Sequence, residues 1–370
     1  MLERLVWAEI SRKNFLFNLN SVKKLTGSKV KAMAVVKANA YGHGAAGLAK
    51  EAEKYSDYFG VVCLYEAREL REAGIKKPIL ILNYIDGESL PRCVELSLSL
   101  NIMEEKLLKE LDRISRKNGK MTRIHVKVDS GMHRLGLMPD AAIKFIPKIE
   151  NYKNIFLQGI FTHFATSDEK DLSFTNEQLS VFNKVLSELK KRKIMIPIIH
   201  AANSATTLRL KEAHFDMVRP GIILYGLPPS SEFKLPFKPK PVMELKTQIV
   251  QIRRIGKGES VGYGRKFIAK KPTSVAAIPV GYADGFTRAP NNWAEVLVRG
   301  KFAPIIGRVS MDQSSIDVTD INNVRAGDEV VLIGKQGNKS ISAEDIAGKA
   351  GTINYEIISR LAARVEKVFI

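Results

Sequence analysis

Cysteine is nearly absent from this chain: two residues in 370, Cys63 and Cys93, with no CxxC spacing. That excludes a disulfide scaffold, a thiolate zinc site and a dithiol redox motif. Cys63 lies in an apolar run, so a reduced thiol packed in the core is expected. Histidine is also scarce, with six residues, and His43, His125, His133, His200 and His214 show no metal-ligand spacing; no metal site is expected. No apolar run approaches the roughly 20 residues that cross a bilayer, so no membrane association is expected. The opening stretch, Met1-Leu2-Glu3-Arg4-Leu5-Val6-Trp7, has no apolar leader core or small-residue cleavage site. The expected location is the cytoplasm. Acidic residues are in short supply: Asp+Glu 39 against Lys+Arg 58 leaves a formal charge of +19. Such an excess fits nucleic-acid binding. Here, however, the basic residues are dispersed, as in Lys190-Lys191-Arg192-Lys193 and the loop Phe233–Lys238, with no zinc-finger or RNA-binding signature beside them. A solubilising surface that attracts anionic small ligands such as phosphates is the better reading, with no nucleic-acid partner.

What is present is an ordinary globular composition, 45% hydrophobic and 26% charged, long enough for two domains or one large barrel with an added module. Eight apolar, β-branched runs occur: Val30–Val36, Tyr58–Leu64, Pro78–Asn83, Leu96–Ile102, Arg123–Asp129, Phe156–His163, Met195–Ala201 and Met217–Tyr225. Most are continuous rather than alternating, as in strands buried on both faces of a parallel sheet. Helical patterns separate them, including Met103–Lys117 and Thr175–Lys193, where Phe182, Val185, Leu186 and Leu189 form one apolar face. Another, Ser11–Lys24, precedes the first run. Alternation of this kind predicts an α/β fold, a (β/α)8 TIM-type barrel over residues 11–230. The rival, an open doubly wound sheet, has no GxGxxG after its first strand to support it. Beyond Tyr225, glycine and proline mark a linker, and residues 236–370 read as a mainly-β domain closed by helical patterns near Ser342–Ala350 and Asn354–Ala363. Residues 1–10 are expected to form a strand that joins this second domain.

Barrel chemistry collects at the C-terminal ends of strands, and the ends here are rich in reactive groups. The first run stops at Lys37, before a Tyr41-Gly42-His43-Gly44 turn. The fifth leads into Lys127–Gly136, the sixth ends at Thr162-His163, the seventh at His200–Ala205, and the eighth carries Arg219-Pro220-Gly221-Ile222. A lysine desolvated at a strand end deprotonates more readily, so its amine can attack a carbonyl; that is the requirement for a Schiff base with pyridoxal phosphate (PLP). A solvated strand end also accounts for Lys37 taken alone.

Together the segments AVVKANAYGHG (34–44), KVDSGMHRLG (127–136), FTHFATSD (161–168), HAANSAT (200–206), RPGIILYG (219–226), VGYGRKF (261–267), IPVGYADG (278–285), GRVSMDQ (307–313) and INYEI (353–357) resemble the alanine racemases, PLP-dependent enzymes of fold type III. The resemblance runs along essentially the whole chain. It implies racemisation of L- and D-alanine by two bases, D-alanine supply for peptidoglycan, and a homodimer with shared active sites. In that resemblance Lys37 carries PLP and serves one face of the substrate, and Tyr263 of the partner subunit serves the other. Arg219 faces the pyridine nitrogen, and Tyr41, Ser204, Gly221, Ile222 and Tyr355 contact the phosphate. Arg134 lies near the PLP phenolic oxygen and the substrate carboxylate, which the Met311 N–H also binds. His163 links Tyr263 and Arg219, Lys127 aligns with a lysine often carbamylated, and Tyr282 narrows the access path. Alternatives read from the residues alone remain: a turn tyrosine at Tyr263, core packing at Tyr355, an ordinary ion pair at Arg219, a β-turn at Met311-Asp312. Ser310 departs from the cysteine frequent in the family, which bears on strict alanine preference. A broader-specificity or lysine racemase, a decarboxylase of the same fold, and a non-catalytic PLP carrier are the competing readings; Arg219 in place of an acidic residue speaks against the decarboxylase.

Overall fold

The computed structural model describes residues 4–289 and 291–370; Met1–Glu3, the start of the expected N-terminal strand, lie outside them. The chain divides into two compact units. One comprises Phe15–Ala40 and Ala45–Lys240; the other comprises the segment ending at Asn14, the short stretch Tyr41–Gly44, and Pro241–Ile370. Among the described residues no helix is long and apolar enough to cross a membrane.

Strand β1 (Val6–Ile10) belongs to the second unit. The first unit contains β2 (Lys31–Val35), β3 (Tyr58–Val61), β4 (Ile79–Ile81), β5 (Ser99–Asn101), β6 (Thr122–Lys127), β7 (Ile155–Phe161), β8 (Ile198–His200) and β9 (Met217–Val218). All pairings are parallel, in the order β8-β7-β6-β5-β4-β3-β2-β9. The remaining seam, between β8 and β9, is bridged by Asp216 N–H donating to Ile199 O at 3.0 Å and Arg219 N–H to Ala202 O at 2.9 Å. A nearly closed eight-stranded barrel results, one strand in each expected run. β3 and β4 are buried at every residue, which is why their sequences are continuous rather than alternating; β5 is buried throughout as well but carries Ser99 and Asn101. Met33, Tyr58, Leu80, Ile198 and Met217 pack together as one layer of the interior. Helices follow the strands, among them Arg12–Thr26 before the first, Glu105–Lys117 and Ser173–Lys191.

The second unit is built on a ten-stranded sheet ordered β11-β14-β17-β16-β15-β18-β10-β1-β20, with β19 paired to β18. Here β10 is Met243–Gln248, β11 Gln251–Ile255, β12 Ser260–Val261, β13 Phe267–Ile268, β14 Thr273–Ile278, β15 Glu295–Val298, β16 Lys301–Ile306, β17 Ser314–Asp317, β18 Glu329–Gln336, β19 Lys339–Ile341 and β20 Glu366–Phe369. In β10 Met243, Leu245 and Thr247 are buried while the residues between them are half-exposed, the period-two signature of a one-faced strand. β1 runs antiparallel to β10, Ala8 opposite Leu245, and parallel to β20.

One sequence expectation is corrected. Cys63 is exposed; Cys93 is the buried thiol, and both are free. Cys63 stands just past the end of β3, where the apolar run has left the sheet and the helix Leu64–Glu72 begins.

Candidate active site

The backbone reverses hand just after Lys37, beyond the end of β2. Ala38, Asn39, Ala40 and Tyr41 all have φ between 51° and 54°, a left-handed turn without glycine. Each such residue costs about 1–2 kcal/mol against the right-handed form, so the turn needs external support. Ala40 N–H donates to Val36 O at 2.8 Å. Ala38 N–H donates to Glu66 Oε1 and Val62 N–H to Glu66 Oε2, both at 2.7 Å, so one carboxylate ties the ends of two strands together. Asn39 Oδ1 accepts from Ala45 N–H at 2.7 Å. Glu66→Ala removes the carboxylate that accepts from both backbone N–H groups and is expected to cost about 1.5–3 kcal/mol of stability, the scale of a hydrogen bond to a charged group. Urea unfolding measures it; an unchanged midpoint would mean the turn holds itself.

The turn leaves Lys37 half-buried beside Arg134 and Glu66. Burial lowers the pKa of its amine, Arg134 lowers it further, and Glu66 opposes. Lys127, at the end of β6, is buried. Its amine is pushed down to about 8, by burial first and then by Arg134 and Arg219, with Asp129 opposing. Arg134 itself rides on the loop after β6. The Asp129 carboxylate folds that loop by accepting from Gly131 N–H at 2.9 Å and His133 N–H at 3.0 Å. Burial works against that carboxylate, yet the two N–H groups hold its pKa below the usual range.

Arg219 is 5% exposed. Its Nη2 donates to Thr162 O at 2.7 Å and Ala201 O at 3.0 Å, and lies 3.2 Å from His163 Nδ1. Its Nη1 lies 3.0 Å from His200 Nδ1. Burial brings its pKa down to about 9, still above neutrality, so the group stays a cation. His163 is kept neutral: burial, then the charges of Arg219, Lys127, Arg134 and Lys37, hold its pKa well below the ordinary value. Nearby, Ser204 Oγ accepts from Gly221 N–H at 2.8 Å and from Ile223 N–H at 3.5 Å. Ser204 opens the helix Ser204–Arg209, capped by the Asn203 side chain, and Ile222 opens a short 3-10 turn.

These groups form a donor set that suits PLP. Lys37 offers an amine of lowered basicity. Among the described residues Arg219 Nε makes no hydrogen bond to protein, so the guanidinium has a donor to spare. Ser204 Oγ, held by the Gly221 and Ile223 amides, has its hydroxyl proton to donate to an anion.

The second unit carries the other expected residues. Tyr41 and Tyr355 face one another, ring centroids 6.2 Å apart. Tyr263, in a short turn between β12 and β13, is 67% exposed, Met311 54% and Tyr282 42%. Tyr282 N–H donates to Ser310 O and Ala283 N–H to Met311 O, each at 3.0 Å. Gly281 makes this contact possible: a Cβ there would lie 2.3 Å from Met311 O. Asp284, 1% exposed, accepts from Gly281 N–H and pairs with Arg4 at 3.1 Å and Arg364 at 2.8 Å. Arg364 also pairs with Asp312 at 2.7 Å, so one arginine braces both the Tyr282 and the Met311 segments. Sequence reasoning missed Glu66, Asp284 and Arg364. Their distant partners are 28, 80 and 52 positions away, and no local pattern announces such pairs.

Both units resemble known proteins along their length. Residues 10–229 match the family described as alanine racemase, N-terminal domain, and residues 242–369 match alanine racemase, C-terminal domain. Alanine racemase of Halothermothrix orenii is 45% identical over 100% of this chain and 97% of its own. That of Methanococcus maripaludis is 41% identical over the full length of both. Among solved structures, alanine racemase of Clostridium difficile 630 superposes with a TM-score of 0.96 at 36% identity, covering 100% of this chain and 97% of that one. Alanine racemase from Bacillus anthracis with bound L-Ala-P gives 0.94 at 37% identity, covering 100% and 96%. With both domains matched and the relatives aligned from end to end, the chain belongs to the alanine racemase family.

Proposed function

We propose that the chain interconverts L-alanine and D-alanine with PLP, Lys37 moving the proton on one face of the substrate Cα and Tyr263 of the partner subunit on the other. The observation that carries this reading is Arg219: a buried guanidinium, engaged at both terminal nitrogens, with Nε left over. Bound at this site, PLP withdraws electrons from the substrate Cα and acidifies its proton. Arg219 donates but cannot accept. It therefore leaves the ring nitrogen unprotonated and limits the charge the ring takes up, which favours return of the proton over transamination.

Lys37, its basicity lowered by burial and then by Arg134, is suited to attach the cofactor and to give and take a proton. Tyr41, Ser204, Gly221, Ile222 and Tyr355 hold the phosphate. Arg134 and the Met311 N–H of the partner subunit hold the substrate carboxylate. His163, neutral beside Arg219, is placed to assist Tyr263 of the partner subunit in losing its proton, and Tyr282 lines the access path. Lys127 is the residue for carbamylation: its amine, with a pKa of about 8, is partly neutral at physiological pH and can add carbon dioxide with release of a proton. The resulting anion would turn repulsion from Arg134 into attraction. The assembly is a two-fold homodimer, and the setting is cytoplasmic supply of D-alanine for peptidoglycan.

The test is D-alanine formation from L-alanine by purified, PLP-loaded protein, run beside L-lysine and other L-amino acids. Conversion of alanine well above the rest is expected. Equal or greater turnover of lysine would reassign the substrate, and no turnover of any amino acid would leave a cofactor carrier. Under labelled bicarbonate the same preparation should show a carbamate carbon at Lys127.

A further inference from the structure

Behind Arg219 the barrel holds a line of polar side chains that the proton transfers do not use. His200 Nε2 lies 2.9 Å from His125 Nδ1, and His125 Nε2 lies 3.3 Å from Gln158 Oε1. Ser99 donates its hydroxyl to the same Oε1 at 3.4 Å. Both imidazoles are fully buried. His200 stacks on Phe161 with centroids 4.8 Å apart and 10° between planes, and His125 meets Tyr58 edge-on at 6.4 Å. Gly159 of β7 makes the room: a Cβ there would lie 2.2 Å from His125 Nδ1 and 2.9 Å from Ile198 O.

One end of the line dictates its protons. A guanidinium only donates, so His200 must present a bare Nδ1 to Arg219. A neutral imidazole with bare Nδ1 carries its proton on Nε2. That proton points at His125, which must also present a bare Nδ1. His125 then holds its own proton on Nε2 and gives it to Gln158, whose oxygen rather than nitrogen must face it. Reversing any member sets two donors face to face. Burial first, and the Arg219 charge with it, keeps both rings neutral, His125 with a pKa of about 4 and His200 well below the ordinary value.

We infer that His125 is a positioning residue for Arg219: with Gln158 it fixes the tautomer of His200, and His200 in turn holds the guanidinium as an oriented donor with Nε free. The functional consequence rests on the role of Arg219 proposed above; the proton arrangement does not.

The test is nitrogen-15 NMR of histidine-labelled holoenzyme, wild type against Gln158→Leu and Gln158→Glu. In the wild type, His125 and His200 should both be neutral with the proton on Nε2. Gln158→Leu removes the acceptor for His125, and His200 should become a mixture of tautomers. In that variant kcat for alanine should fall about tenfold, one hydrogen bond's worth, with KM nearly unchanged and more pyruvate from transamination per racemisation. Gln158→Glu, which keeps an acceptor, should restore the tautomer and kcat. A proton on Nδ1 of His200, or a charged ring at neutral pH, in the wild type overturns the inference whatever the variants do. So does a Gln158→Leu enzyme with lower melting temperature but unchanged tautomers and pyruvate ratio. If the tautomers are as stated and no racemisation occurs, the line stands and the proposed function falls.

Discussion

Lys37→Ala is expected to lower alanine racemisation by about 10⁴-fold or more and to abolish retention of PLP through dialysis. General acid–base catalysis alone accounts for roughly 10²–10⁴, and this side chain is also the proposed point of attachment. The local structure supports both roles. A left-handed turn, tied by Glu66, begins just after Lys37, two residues past β2, and leaves the amine half-buried. Burial and then Arg134 lower its pKa. The unprotonated amine, the form that attacks a carbonyl, therefore persists to lower pH than in a free lysine. Lys127 is the competitor, buried and also depressed, to about 8. Borohydride reduction of the holoenzyme followed by peptide mapping separates them. A reduced cofactor on Lys37 is expected; one on Lys127 would exchange the roles of the two lysines and remove the basis of the mechanism.

The barrel was legible in the sequence for a plain reason: most of its strands lie within runs that are largely apolar, as strands covered on both faces require. The strand-end residues were legible because several reactive types recur at the ends of successive runs. Other features had no such signal. Ala38-Asn39-Ala40-Tyr41 contains no glycine, and local propensity gives no hint of a left-handed turn. It is held by Glu66, on the helix Leu64–Glu72, which no sequence pattern singled out. Gly159 sits mid-strand, where glycine ordinarily weakens pairing; its purpose appears only when His125 is seen against it. The pairing of His125 with His200 spans 75 positions, and the two residues occupy strands two apart in the barrel order. Cys63 misled because an apolar run does not end where its strand does.

Tyr263→Phe should lose most racemisation, about 10²–10⁴-fold, while still binding PLP, since the phenol is proposed to act on the substrate and not on the cofactor's attachment. Its position makes a sharper experiment available. Lys37 lies in the barrel unit, Tyr263 in the other, and Tyr263 is 67% exposed in the single chain. In a two-fold dimer with shared sites, each site takes Lys37 from one subunit and Tyr263 from the other. Lys37→Ala and Tyr263→Phe proteins, each inactive, are mixed and allowed to exchange subunits. The mixed dimer then contains one site with both residues intact and one site with both lesions. Activity should return to roughly half the wild-type value per mixed dimer, as the symmetry of an isologous pair requires. Exchange is followed independently by mass spectrometry of differently tagged subunits. If exchange is complete and activity stays absent, Lys37 and Tyr263 act within one chain, and the shared-site dimer is wrong.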